Sequence, residues 1–131
     1  MTHSIQGFDH VALPVSDLRR AVSFYRDVLG LRSVDRRDPD IDDYHWLNLG
    51  QGQGLNLARV DEESRTDTSP RHIAFNAPEE YLGEVIDRLE KRNRDVRKTD
   101  TSIYFSDPDG NELEITCWRE KRLRESGVNH W

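Results

Sequence analysis

Asp9-His-Val-Ala-Leu13 returns later in the chain as Arg71-His-Ile-Ala-Phe75, with a histidine in the same place each time. Apolar and polar residues alternate through both stretches, as in a half-buried β-strand. Val11, Leu13 and Val15 share one face of the first strand, and His10, Ala12 and Pro14 share the other. Pro14 places that strand at a sheet edge or close to its own end. A second match, Gly54-Leu-Asn-Leu57 with Glu112-Leu-Glu-Ile115, aligns Asn56 with Glu114. The segments between the matches repeat in the same order. Ser16 or Asp17 caps a helix carrying Leu18, Ala21, Val22, Tyr25, Val28 and Leu29 at helical spacing, and Gly30 stops it. Strands follow at 31–34, 44–49 and 55–60, the last two joined by a turn rich in glycine. In the second half a strand at 71–76 leads to a helix with Pro78 in its first turn. Leu82, Val85, Ile86 and Leu89 make its buried stripe. Strands at 96–98, 102–105 and 112–118 complete that half, with Asp107-Pro-Asp-Gly110 as the final turn.

The fold class expected is α+β: two pseudo-repeated βαβββ modules forming a curved sheet around a cleft. Module 1 covers 7–60 and module 2 covers 71–118. A polar, aperiodic linker occupies 61–70, and a charged, partly helical tail runs over 119–131. Neither half is long enough to bury its own sheet, so the pair forms one domain spanning 1–131. Lys plus Arg total 19 against 25 Asp plus Glu, a net charge of −6. That balance argues against nucleic acid as a partner, which needs a concentrated basic face. No apolar run approaches the roughly 20 residues of a membrane span. The first residues, Met1 to Gln6, lack a basic and then apolar leader, so a cytoplasmic location is expected. Cys117 is alone, which excludes an internal disulfide and any site built from several cysteines.

His10 and His72 occupy equivalent strands, and Glu114 interrupts an apolar strand on the face away from Leu113, Ile115 and Cys117. Two neutral imidazoles and a carboxylate suit a divalent first-row metal with positions left for substrate. A lone strand histidine is more often structural, and Glu114 faces either solvent or a metal. The repeat is what couples the three. Tyr104 sits on the preceding strand, where the hairpin can bring its phenol beside Glu114 to hydrogen-bond or move a proton. A half-buried strand tyrosine is the other reading of the same residue. His45 fits a polar strand face, while Trp46 and Phe75 fit either a pocket wall or the core. His3 and His130 fit solvated ends. Arg119, Arg122 and Arg124 alternate with Glu120 and Glu125, the pattern of a solvated segment, though they could supply an anion contact. Gly50, Gly52 and Gly54 lack the context of a phosphate loop.

Asp9-His-Val-Ala-Leu-Pro-Val-Ser-Asp-Leu18, together with Phe24-Tyr-Arg-Asp-Val-Leu-Gly-Leu31, resembles the opening of the vicinal oxygen chelate superfamily. Tyr104-Phe-Ser-Asp-Pro-Asp-Gly-Asn-Glu-Leu-Glu114 resembles its closing motif. The likeness covers residues 7 to 118 and includes glyoxalase I, extradiol dioxygenases, fosfomycin-resistance thiol transferases and bleomycin-binding proteins. It implies paired βαβββ modules and the metal ligands His10, His72 and Glu114. It also implies a homodimer in which His10 of one chain joins His72 and Glu114 of its partner. Glyoxalase I enzymes commonly have a glutamate where this chain has Asn56, which turns the reading away from that reaction. The expected function is therefore a divalent-metal enzyme that binds a small molecule through vicinal oxygens, with extradiol dioxygenase chemistry first. Fe(II) is the favoured cofactor, with Mn(II) or another first-row metal as alternatives, and Tyr104 assists at the oxygen. A metal-dependent thiol transferase resembling the fosfomycin enzymes, or a glyoxalase-type isomerase, is the alternative. Only Thr99-Asp-Thr101 separates Lys98 from Ser102, so the longer potassium-binding loop of some fosfomycin enzymes is missing. A non-catalytic binder like the bleomycin-resistance proteins is the alternative of another class; that branch generally lacks the histidines kept here.

Overall fold

The structure, a computed structural model, describes residues 4–35, 43–61 and 72–126. Most of the expected linker, Arg71, His3 and His130 lie outside these residues, as does the side chain of Arg124. Module 1 contains β1 (His10–Val15), α1 (Leu18–Asp27), β2 (Arg32–Ser33), β3 (Tyr44–Gly50) and β4 (Gln53–Arg59). Module 2 repeats the order as β5 (His72–Asn76), α2 (Glu79–Lys91), β6 (Arg97–Lys98), β7 (Ser102–Ser106) and β8 (Glu112–Thr116). A further helix, α3 (Trp118–Ser126), takes up the start of the charged tail. Trp118 therefore opens a helix rather than ending the last strand. Among the described residues no helix is long and apolar enough to cross a membrane.

The local signals act where the sequence puts them. Asp17 caps α1 by accepting a hydrogen bond from the Arg20 amide, and Gly30 ends it with φ +74°. Gln51 and Gly52 both have positive φ, +53° and +77°, as the tight turn between β3 and β4 demands. Pro78 stands just before α2, as its cap residue, rather than inside the first turn. Its extended backbone (ψ 156°) explains the difference, because the chain turns helical only at Glu79.

Each module folds into a four-stranded mixed sheet, with strand orders β1-β4-β3-β2 and β5-β8-β7-β6. The first strand of each module lies parallel to the last. Among the described residues the two sheets are separate, and β1 and β5 are edge strands of one chain. The helices cover one face of each sheet. Leu13, Val15, Leu47, Leu55 and Leu57 bury against that layer in module 1, as do Ile103, Phe105, Leu113 and Ile115 in module 2. Alternation then sends His10, Ala12 and Pro14, and likewise His72, Ala74 and Asn76, to the opposite face.

Within the chain α1 and the Asp107–Gly110 turn bind the modules together. The Tyr25 hydroxyl donates to Asp107 Oδ2 at 2.7 Å in a buried setting. Asp107 Oδ1 also accepts from the amides of Asp109 and Asn111, both at 2.9 Å. Asp109 Oδ1 accepts from the amide and hydroxyl of Ser16, at 2.8 and 2.6 Å. Phe24 packs on Phe105 with ring centroids 6.3 Å apart, and the Arg88 guanidinium donates to the Val28 carbonyl at 3.1 Å. The turn thus shapes the β7–β8 hairpin and anchors module 1.

Candidate metal centre

The pairing of β5, β8 and β7 sets Ala74, Glu114 and Tyr104 in one row, and β6 extends it to Arg97. Period-two alternation puts their side chains on the face away from the core, because Leu113, Ile115, Ile103 and Phe105 occupy the other. His72 comes from the neighbouring row. Its Nε2 lies 3.0 Å from Glu114 Oε1. The second carboxylate oxygen accepts from the Ser102 hydroxyl at 2.7 Å, which fixes the plane of the group. Glu114 is the more enclosed partner, its side chain 12% exposed against 47% for His72.

Tyr104 stands over this pair. Its ring lies 6.1 Å from the imidazole of His72, nearly edge-on. The Arg97 guanidinium lies over the ring of the phenol, 4.1 Å from its centroid. A hollow of about 470 Å³ opens beside Glu114 and Tyr104, bordered also by Ser102, Thr116, Trp118 and Arg119. A carboxylate, an imidazole, a phenol and one guanidinium thus share one sheet face, with Arg119 of α3 at the border of the hollow. Ser102 and Arg97 are the members that sequence reading missed. Ser102 stands two residues from Tyr104 and had the strand period to recommend it, whereas Arg97 lies on a two-residue strand too short to show any period.

His10 is elsewhere. It carries 39% exposure, its Nδ1 pairs with Asp9 Oδ2 at 2.7 Å, and its ring meets Trp46 edge-on at 4.9 Å. Among the described residues no three His, Cys, Asp or Glu side chains of one chain gather tightly enough to hold a metal. One chain brings together two of the three expected ligands. Asn56 occupies the place in module 1 that Glu114 holds in module 2, in register with Ala12 and Trp46 as Glu114 is with Ala74 and Tyr104. It is buried, and among the described residues its Oδ1 has no hydrogen-bond partner.

The other candidates resolve into structure. His45 shares the face of Leu47 and pairs with the Ser33 hydroxyl at 2.7 Å, while burial pulls its imidazole pKa down. Phe75 packs against the hydrophobic core. Cys117 is buried, with its thiol on the Thr101 carbonyl at 3.4 Å. Between Lys98 and Ser102 the chain closes at once, the Thr99 amide donating to the Ser102 carbonyl at 2.9 Å.

The His72–Glu114 spacing fits a shared cation. Two donors bound at about 2.1 Å and at a right angle stand about 3 Å apart. Imidazole nitrogen with carboxylate oxygen is a donor set for divalent first-row ions.

Residues 7–115 match the Glyoxalase/Bleomycin resistance protein/Dioxygenase superfamily. The chain belongs to this superfamily. Within it, the chain is 30% identical over 144 residues to the metallothiol transferase FosB of Lysinibacillus sphaericus, covering 97% of this chain and 99% of that one. It is 31% identical to the glutathione transferase FosA of Serratia marcescens, over 85% of this chain and 80% of the relative. The fosfomycin resistance protein FosX of Listeria monocytogenes, crystallised with Mn(II) and a dihydroxypropylphosphonic acid, shares the fold. Its TM-score is 0.73 at 21% identity, over 92% of this chain and 99% of that one. These superfamily relatives by sequence are thiol transferases. They favour the thiol-transfer alternative over the ring-cleaving dioxygenase.

Proposed function

We propose that this protein is a divalent-metal-dependent transferase that adds a thiol to a small anionic electrophile bound through vicinal oxygens. The observation that carries the reading is the His72–Glu114 pair at 3.0 Å, with the Tyr104 phenol on the same face. The names of the sequence relatives supply the thiol-transfer class, and the FosX structures, described as fosfomycin resistance proteins, suggest the substrate: fosfomycin, an epoxide bearing a phosphonate, or a close analogue. The homodimer proposed brings His10 of one copy to His72 and Glu114 of the other, with the free edges of β1 and β5 available for the approach. A cation so held supplies Lewis acidity toward the substrate oxygens. Mn(II) is proposed in place of Fe(II), because the relatives perform group transfer and no redox step is needed.

Each side chain then has a task. Ser102 holds the Glu114 carboxylate in plane, so that its other oxygen stays aimed beside His72. Arg119 borders the hollow and Arg97 lies over the Tyr104 ring, and both offer charge to the anionic group. The thiol sulfur bonds to a ring carbon as the carbon–oxygen bond breaks, and the oxygen released takes a proton. Tyr104 holds a hydrogen bond at that oxygen and assists the proton transfer. The test is a product assay with Mn(II)-loaded protein, fosfomycin and a panel of thiols (glutathione, cysteine and bacillithiol). A thiol adduct, lost on chelation and restored by Mn(II), is expected. Stoichiometric metal with no adduct from any thiol, and oxygen uptake with catechols instead, would return the reading to a dioxygenase.

A further inference from the structure

His10 is held on two sides. Asp9 Oδ2 lies 2.7 Å from its Nδ1, and the Trp46 ring meets the imidazole edge-on at 4.9 Å. An ionised carboxylate only accepts hydrogen bonds, so the hydrogen in this contact belongs to Nδ1. The Nε2 atom of the neutral ring then carries the lone pair. On His72 it is also Nε2 that lies beside the Glu114 carboxylate. Nε2 is thus the atom away from Asp9 in His10 and the atom facing Glu114 in His72.

We infer that Asp9 is a positioning residue for the metal centre, locking His10 into the Nδ1–H tautomer and aiming Nε2 outward. The inference rests on the shared metal site proposed above and adds to it a residue that donates no bond to the metal. A carboxylate on the far nitrogen raises the basicity of an imidazole ligand and limits its rotation. It also brings a second negative charge near a dication whose direct ligands carry only that of Glu114. Trp46 complements Asp9 by restricting the ring from its side. Asp9 is well exposed, its side chain 61% accessible, so replacing it leaves the core untouched.

The experiment uses the full chain and has two readouts. Long-range nitrogen–proton NMR of the metal-free protein at about pH 8, where an imidazole is neutral, identifies the tautomer of His10. Titration with Mn(II) gives the affinity, for the parent protein and for Asp9→Ala and His10→Ala. The expected results are an Nδ1–H tautomer that Asp9→Ala abolishes, and an affinity that falls roughly 10- to 100-fold in Asp9→Ala. An Nε2–H tautomer in the parent, or an Asp9→Ala affinity within twofold of it, overturns the inference. Should His10→Ala itself bind Mn(II) as the parent does, the shared-site reading fails instead, and the two failures are told apart.

Discussion

At the scale of single residues, Tyr104 separates binding from chemistry. Its ring meets His72 nearly edge-on and carries Arg97 over its face, outside the carboxylate–imidazole pair. Tyr104→Phe keeps the ring and removes the proton. The turnover number is expected to fall about 10²- to 10⁴-fold while Mn(II) content stays at the parent level, measured by a thiol-adduct assay and by metal analysis. The candidate site was legible here to the extent that alternation and repeat could carry it. His72, Glu114 and Tyr104 fall on one face because strands alternate, and two of them stand at repeat-marked positions. Ser102 shares the Tyr104 face two residues away, whereas Arg97 was missed because cross-strand register, and not sequence distance, brings it beside Tyr104. His10 was read as a ligand from the repeat, but within one chain it lies apart from the His72–Glu114 pair.

At the scale of elements, the Asp107–Gly110 turn does more than its sequence suggested. Read as a turn, it aligns Tyr104 with Glu114. In the fold its carboxylates also receive Tyr25 and Ser16 from module 1. Such long-range partners leave no trace in propensity, whereas the helix stop at Gly30 and the β3–β4 turn are local and were readable. Burial and the neighbouring Asp107 charge push the Tyr25 hydroxyl well above its ordinary value of 10.0. The proton is thus kept in the folded state at pH values where the unfolded chain releases it. The stability from this group is present below about pH 10 and is lost as pH rises beyond it. Tyr25→Phe is expected to cost about 1–3 kcal/mol at neutral pH, since Asp107 loses a buried donor. The variant should also show a shallower loss of stability above pH 10. Denaturant melts across that range check both, and equal alkaline slopes in the two proteins would argue against it.

At the scale of the whole molecule, the repeat decides the architecture, and the proposed dimer would complete the site. Two βαβββ modules were expected and are present, each with a four-stranded sheet whose outer strand, β1 or β5, is an edge among the described residues. A single chain's sequence contains the strands but not the contact that would join their edges, which is why the fold was more legible than the site. The central claim is that two copies of the chain share each metal. Mixed dimers of His10→Ala and Glu114→Gln chains test it most directly, with Mn(II) counted after purification of the heterodimer. Either variant alone spoils both sites. In the mixed dimer one site collects both defects and the other is whole. The account predicts one bound Mn(II) per mixed dimer and none in either homodimer. A mixed dimer as empty as its parents would contradict it.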